Sequence, residues 1–173
     1  GAFSANGGTV VFAASTGSHA IDADGTGTEA FNNLTFSGAG TWRLDTAMTV
    51  DGTLTQSAGT VIAPQTTLSV GGTVARSGGT FTANGGTVAL TGGDQTISGT
   101  TTFASLTKTI SSAATLSFPA GATQTVTGTV TLKGASGALL SLRSSTKGTQ
   151  WSVNPQGTRS LQYLDVQDSN NVH

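Results

Sequence analysis

Short runs in which apolar and polar residues alternate recur along the chain, each closed by small or glycine-rich phrases. Thr9-Val10-Val11-Phe12, Leu34-Thr35-Phe36, Thr60-Val61-Ile62, Leu68-Ser69-Val70 and Thr87-Val88-Ala89-Leu90 are β-branched and bounded by turn residues, which predicts strands. Thr125 to Leu132 alternates strictly and reads as one strand, with Val126, Val130 and Leu132 on one face and threonines on the other. Ala-Asn-Gly-Gly, Ser-Gly-Gly and Thr-Gly-Gly-Asp supply the positive φ that a sharp corner needs. No segment carries a capped 3.6-residue period, so almost no helix is expected.

The runs repeat. Thr49–Val61 returns as Ser69–Phe81 at an offset of twenty, with its apolar positions and Gly-Thr pairs in step. A unit this short cannot bury its own apolar face and must stack on copies of itself. Strand crossovers between parallel strands are overwhelmingly right-handed. The expectation is an all-β, right-handed parallel β-helix of about 8 coils of about 20 residues. An antiparallel sandwich is the alternative; the Asn-Gly pairs at 6–7 and 84–85 suit hairpins, but a sandwich leaves the offset of twenty unexplained.

A longer repeat overlies the short one. Phe3–Val10 returns as Phe81–Val88, offset by 78, Phe31–Thr35 returns loosely as Phe103–Thr107, and Thr49–Leu54 matches Thr125–Val130. The chain therefore reads as one solenoid domain over 1–173, made of two divergent long repeats, 1–78 and 79–173, and as a piece of something longer. Ser160–Val166 reads as a strand, and after Val166 Asp168-Ser169-Asn170-Asn171 reads as a polar turn leading towards a further coil.

Composition narrows the function. Charged residues are 9% of the chain, against about 25% on average, and the net charge is −1. The seven basic residues are scattered, which argues against nucleic acid. No apolar run approaches the ~18 residues of a membrane span, and there is no cysteine. A Thr/Ser/Asn/Gly surface of this kind points to an extracellular or cell-surface location.

Gly93–Gly99, Phe31–Phe36 and Arg159–Ser169 resemble the parallel β-helix repeats of large bacterial surface and secreted proteins, the filamentous-haemagglutinin-like adhesins and autotransporter-type passengers. The resemblance covers nearly the whole chain through low-complexity motifs. It implies a non-catalytic stalk or adhesive rod and supplies no catalytic residues. The implied partners are other modules of the same long chain, and host or matrix glycans or proteins.

Candidate chemistry is sparse. Asp22, Asp24 and Glu29, in an acidic glycine-containing loop, are the candidate calcium ligands, since convergent carboxylates suit a hard cation. The spacing is too short for an EF-hand, and the competing reading is a solvated loop between coils. Calcium is the one cofactor considered. Trp42 and Trp151 are candidates for stacking on sugar rings, or else fill the core. Asp165, Asp168 and Asn170 form a second acidic stretch, in which Asp165 and Asp168 read as turn-formers rather than an acid–base pair. His19 and His173 have no evident partner. The expected function is thus a structural, adhesive rod and not an enzyme. A carbohydrate-binding or polysaccharide-cleaving β-helix is the alternative. An ice-binding solenoid is the third reading, prompted by Thr125, Thr127, Thr129 and Thr131, whose array is broken in the neighbouring copies.

Overall fold

The computed structural model describes residues 7–22 and 30–172. Among these residues there is no helix; the strands come in threes, one set to each turn. The first turn has β1 (Thr9–Phe12), β2 (Ser18–Ile21) and β3 (Ala30–Phe31). Next come β4 (Asn33–Phe36), β5 (Thr41–Leu44) and β6 (Met48–Val50), then β7 (Leu54–Gln56), β8 (Thr60–Ile62) and β9 (Thr67–Val70). The fourth turn has β10 (Val74–Arg76), β11 (Thr80–Thr82) and β12 (Thr87–Leu90). The fifth has β13 (Gln95–Ser98), β14 (Thr102–Phe103) and β15 (Ser105–Thr109). Then follow β16 (Ala114–Phe118), β17 (Thr123–Val126) and β18 (Val130–Lys133), and after them β19 (Leu140–Ser144), β20 (Trp151–Pro155) and β21 (Arg159–Gln162). The last strands are β22 (Leu164–Val166) and β23 (Ser169–Asn171).

Strands pair in parallel with their counterparts one turn below and above, except that β11 and β14 do not pair with each other. The first wall is an eight-stranded sheet from β1 to β22, and the third is a seven-stranded sheet from β3 to β21. The second wall is two four-stranded sheets, β2-β5-β8-β11 and β14-β17-β20-β23. The chain is a parallel β-solenoid of about seven turns, close to the eight expected. The offset of twenty is one turn: Leu34 sits on Leu54 and Leu54 on Val74. Other turns are longer, as where Ala114 sits on Leu140, so fewer fit in the chain.

The register stacks like on like. On the third wall Met48, Leu68, Val88, Leu106 and Val130 form one inward column. All of them are buried, and each such side chain contributes about 1.5–3 kcal/mol by leaving water. Aromatic rings fill the wider corners. Phe12 stacks on Phe36 at 5.5 Å between centroids, and Phe118 stacks on Trp151 at 4.1 Å.

Three details differ from the sequence reading. Thr125–Leu132 is not one strand: β17 ends at Val126, the chain turns through Thr127-Gly128-Thr129, and β18 starts at Val130. All three apolar residues are buried, but from two different walls. Second, Ser160–Val166 breaks at Tyr163, whose φ of 50° turns the corner between β21 and β22. Third, Ser169–Asn171 is strand β23, paired with β20 rather than forming a turn.

The long repeat is out of phase with the turns. Thr9-Val10 opens β1 on the first wall, whereas its copy Thr87-Val88 opens β12 on the third. The other matched phrases are displaced by the same amount, because what repeats is a corner. Asn33 Oδ1 accepts from the Thr53 N–H at 2.8 Å, and Gly52 N–H donates to Asn32 O at 2.6 Å. In the copies, Ser105 Oγ accepts from the Thr129 N–H at 3.2 Å, and Gly128 N–H donates to Ala104 O at 2.7 Å. One corner design therefore serves at two different edges of the prism. The stack also crosses residue 78 without a break: β10 pairs with β13 and β9 with β12. Only the second wall is interrupted, between β11 and β14, where Phe81 and Phe103 still pack at 6.3 Å.

Glycine is required where coils touch at their corners. A Cβ on Gly71 would lie 2.2 Å from Asp51 O, a backbone atom of the coil below, while one on Gly93 would meet nothing within 4 Å. Gly71→Ala is expected to cost about 1–3 kcal/mol through overpacking. Gly93→Ala is expected to stay within about 0.5 kcal/mol of the parent, as free surface sites do. Paired urea melts check both; equal effects would mean that coil contact at the corner does not limit the residue there.

Candidate functional site

Among the described residues, those singled out from the sequence do not converge. Asp22 is exposed just after β2, while Asp24 and Glu29 lie outside the described residues, as does His173. Among the described residues no three His, Cys, Asp or Glu side chains are placed to share a metal ion. Trp42 and Trp151 are 3% and 2% exposed, so their rings lie in the core and present no platform to solvent. Trp42 packs between Phe12, Phe36 and His19, and its Nε1 is buried with no hydrogen-bond partner among the described residues. Trp151 Nε1 donates to Gln167 O at 3.0 Å. His19 stacks on Trp42 at 4.8 Å, with Nε2 3.0 Å from Thr16 O.

The second acidic stretch is held by local structure. Asp165 lies on the outer face of β22 and pairs with Arg143 of the coil below. Asp168, at φ 55°, is the turn residue expected, and its Oδ2 accepts from the Gly148 N–H at 2.9 Å. Asn170 pairs with Ser152 in the β20–β23 ladder.

The outer faces are coated with hydroxyls. On the third wall one column reads Ala30, Thr49, Ser69, Ala89, Thr107, Thr131 and Ser160. A second begins Thr67, Thr87 and Ser105. The structural register differs from the sequence alignment, because Thr125 and Thr131 belong to different walls.

The concentrated chemistry lies inside, in two networks that sequence reasoning missed. In the first, Lys108 occupies a column of the third wall that otherwise reads Val50, Val70, Leu90 and Leu132. It is wholly buried. Its Nζ donates to Gln95 Oε1 at 2.5 Å and to Gly92 O at 2.7 Å, while Gln95 Nε2 donates to Val70 O at 2.9 Å and Gly72 O at 2.8 Å. Loss of water pushes the Lys108 amine down to about 8, and the Asp94 carboxylate opposes the fall.

The second network runs up the corner between the first and second walls. Gln56 Nε2 donates to Thr80 O at 2.8 Å, and Gln56 Oε1 accepts from Arg76 Nε at 2.9 Å. Arg76 reaches upward from there: Nη1 donates to Thr100 O at 2.6 Å and to Thr101 Oγ1 at 3.0 Å. Its Nη2 donates to Gly79 O at 3.0 Å, and the guanidinium carbon lies 5.7 Å from the centre of the Phe81 ring. Gln124 closes the column, accepting from the Thr101 N–H at 3.1 Å and donating to Gly99 O at 2.8 Å. These bonds satisfy backbone groups where the second wall loses its ladder. Desolvation lowers the Arg76 pKa from its ordinary value. The signal was present in the sequence: Lys108, Gln56, Gln95 and Gln124 all occupy the inward phase of an alternating run.

No family model, curated protein or solved structure matches this chain. Function therefore has to be argued from the molecule itself.

Lys108 generates a signed pH dependence. Its ordinary value is 10.5 and its folded value about 8, so between those limits the unfolded chain holds a proton that the folded chain lacks. Folded stability should rise with pH across that window, and the cost of burial is present in full below it. The size is on the order of 3 kcal/mol. Melting wild type and Lys108→Met side by side from pH 7 to pH 10.5 should show wild type gaining on the variant. Parallel curves would mean that the amine titrates as it does in water.

Proposed function

We propose that this chain is a structural, adhesive rod segment of an extracellular bacterial surface protein, without catalytic activity. The observation that carries the reading is the first wall, whose parallel ladder runs without interruption from β1 to β22. Stacked strands lie about 4.8 Å apart, so about seven turns make a rod roughly 30–35 Å long. Its coils are joined one to the next by axial backbone hydrogen bonds. Such a body holds whatever flanks it at a fixed distance and direction, which is the work of a stalk.

The surface supports the same reading. Hydroxyl side chains tile the third wall, and the two tryptophans that a sugar-binding groove would use lie in the core, leaving Tyr163 exposed at its corner. The two closest ion pairs, Arg43 with Asp45 and Arg143 with Asp165, tie up acids that could otherwise act alone. Adhesion would then rest on many weak hydroxyl contacts spread along a wall, and the expected partners are matrix or host glycans and proteins, together with neighbouring modules.

A reducing-end assay over plant, algal and microbial polysaccharides, with and without calcium, separates this from the enzymatic alternative. The rod reading expects no sugar release in either condition, and small-angle scattering profiles that calcium leaves unchanged. Release from any one polysaccharide would overturn it.

A further inference from the structure

Among the described residues Arg76 has no anionic partner. Its guanidinium is drawn partly out of water over Phe81, and all four of its hydrogen bonds go to neutral oxygens, those of Gln56, Thr100, Thr101 and Gly79. The two ion pairs among the described residues involve other arginines. A buried or half-buried charge is ordinarily paired, and a guanidinium offers five N–H donors. One Nη2 hydrogen is therefore left over.

A groove of about 200 Å³ opens at this point, walled by Arg76, Ser77, Gly78, Gly79, Gly99 and Thr100. The guanidinium is bonded to two of those walls, Gly79 and Thr100. No side chain larger than threonine crowds the rim apart from Arg76 itself, and Ser77 and Thr100 add hydroxyls. The glycines cannot be filled in. A Cβ on Gly78 would lie 2.3 Å from Ser57 O, one on Gly79 2.5 Å from Gly59 O, and one on Gly99 2.4 Å from Arg76 O. Coil stacking therefore fixes glycine at these three rim positions. One free guanidinium N–H beside two hydroxyls and exposed turn backbone gives a positively charged donor set suited to a single carboxylate or sulfate oxygen.

From these features we infer that the Arg76 groove is a binding site for a single oxyanion, a carboxylate or a sulfate group, of the kind that acidic sugars carry. The anion would take the spare Nη2 hydrogen and the rim hydroxyls, and it would neutralise a charge that the chain leaves uncompensated. The site sits at the interruption of the second wall, where the coils are joined by side chains rather than by a ladder.

The test is an amide chemical-shift titration of the whole chain with sodium sulfate and, separately, sodium glucuronate. Sodium chloride at equal ionic strength is the reference. Saturable shifts confined to residues 77–80 and 99–101 are expected with one or both anions, and the pattern across the two identifies sulfate or carboxylate as the preferred group. Arg76→Gln should abolish the response and Arg76→Lys restore part of it. Because Arg76 also braces the wall, Ser77→Asp provides a second arm on an exposed residue. Its carboxylate should occupy the groove, raise the melting temperature and eliminate the titration. Shifts equal to those in chloride, or a full response in Arg76→Gln or Ser77→Asp, would overturn the assignment.

Discussion

Every coil must hand its backbone donors and acceptors to the next coil at one spacing, about 4.8 Å. The rest of the molecule follows from that. A ladder with a fixed pitch leaves no freedom along the axis, so each inward side chain meets its counterpart one turn away, and columns such as Met48–Leu68–Val88–Leu106–Val130 arise. It also presses corner against corner. That is why no Cβ fits at Gly71 above the Asp51 backbone. Stability comes from repetition of small contacts, and no single residue dominates.

The strands and the stacking were legible because they depend on local period and on self-similarity. Thr9–Phe12, Thr60–Ile62 and Thr87–Leu90 are strands with the very limits that alternation assigns. Corners were less legible. Thr127-Gly128-Thr129 keeps the alternation of its neighbours while bending the chain, so period alone cannot see it. Ser169–Asn171 was hidden for the opposite reason: its residues are polar and exposed, and only the backbone of Trp151–Val153 beneath makes them a strand.

The chemistry of the interior was hardest to read. Lys108, Gln56, Gln95 and Gln124 stand where an apolar residue is due, and composition tables count them as surface. Each is retained because a corner carbonyl or amide nearby lacks a ladder partner, and a buried polar side chain stabilises the fold only when such a partner is present. Arg76 goes further: it bridges three successive coils at the place where the second wall is interrupted. The two tryptophans show the converse. Candidates for a sugar platform in sequence, with core filling the favoured alternative, they are buried, and Trp151 stacks on Phe118.

The shared corner design has a geometric consequence. The copied stretch spans three complete turns and two further walls, so its second appearance is rotated by a third of a circle about the axis. A prism whose three sides accept the same edge can lengthen by any whole number of sides, since fit is judged wall by wall. Growth in such units carries a motif to a new azimuth each time. A row of identical phrases in the sequence then becomes a spiral of bearings around the rod, and the molecule can point one surface feature in several directions while its axis stays straight.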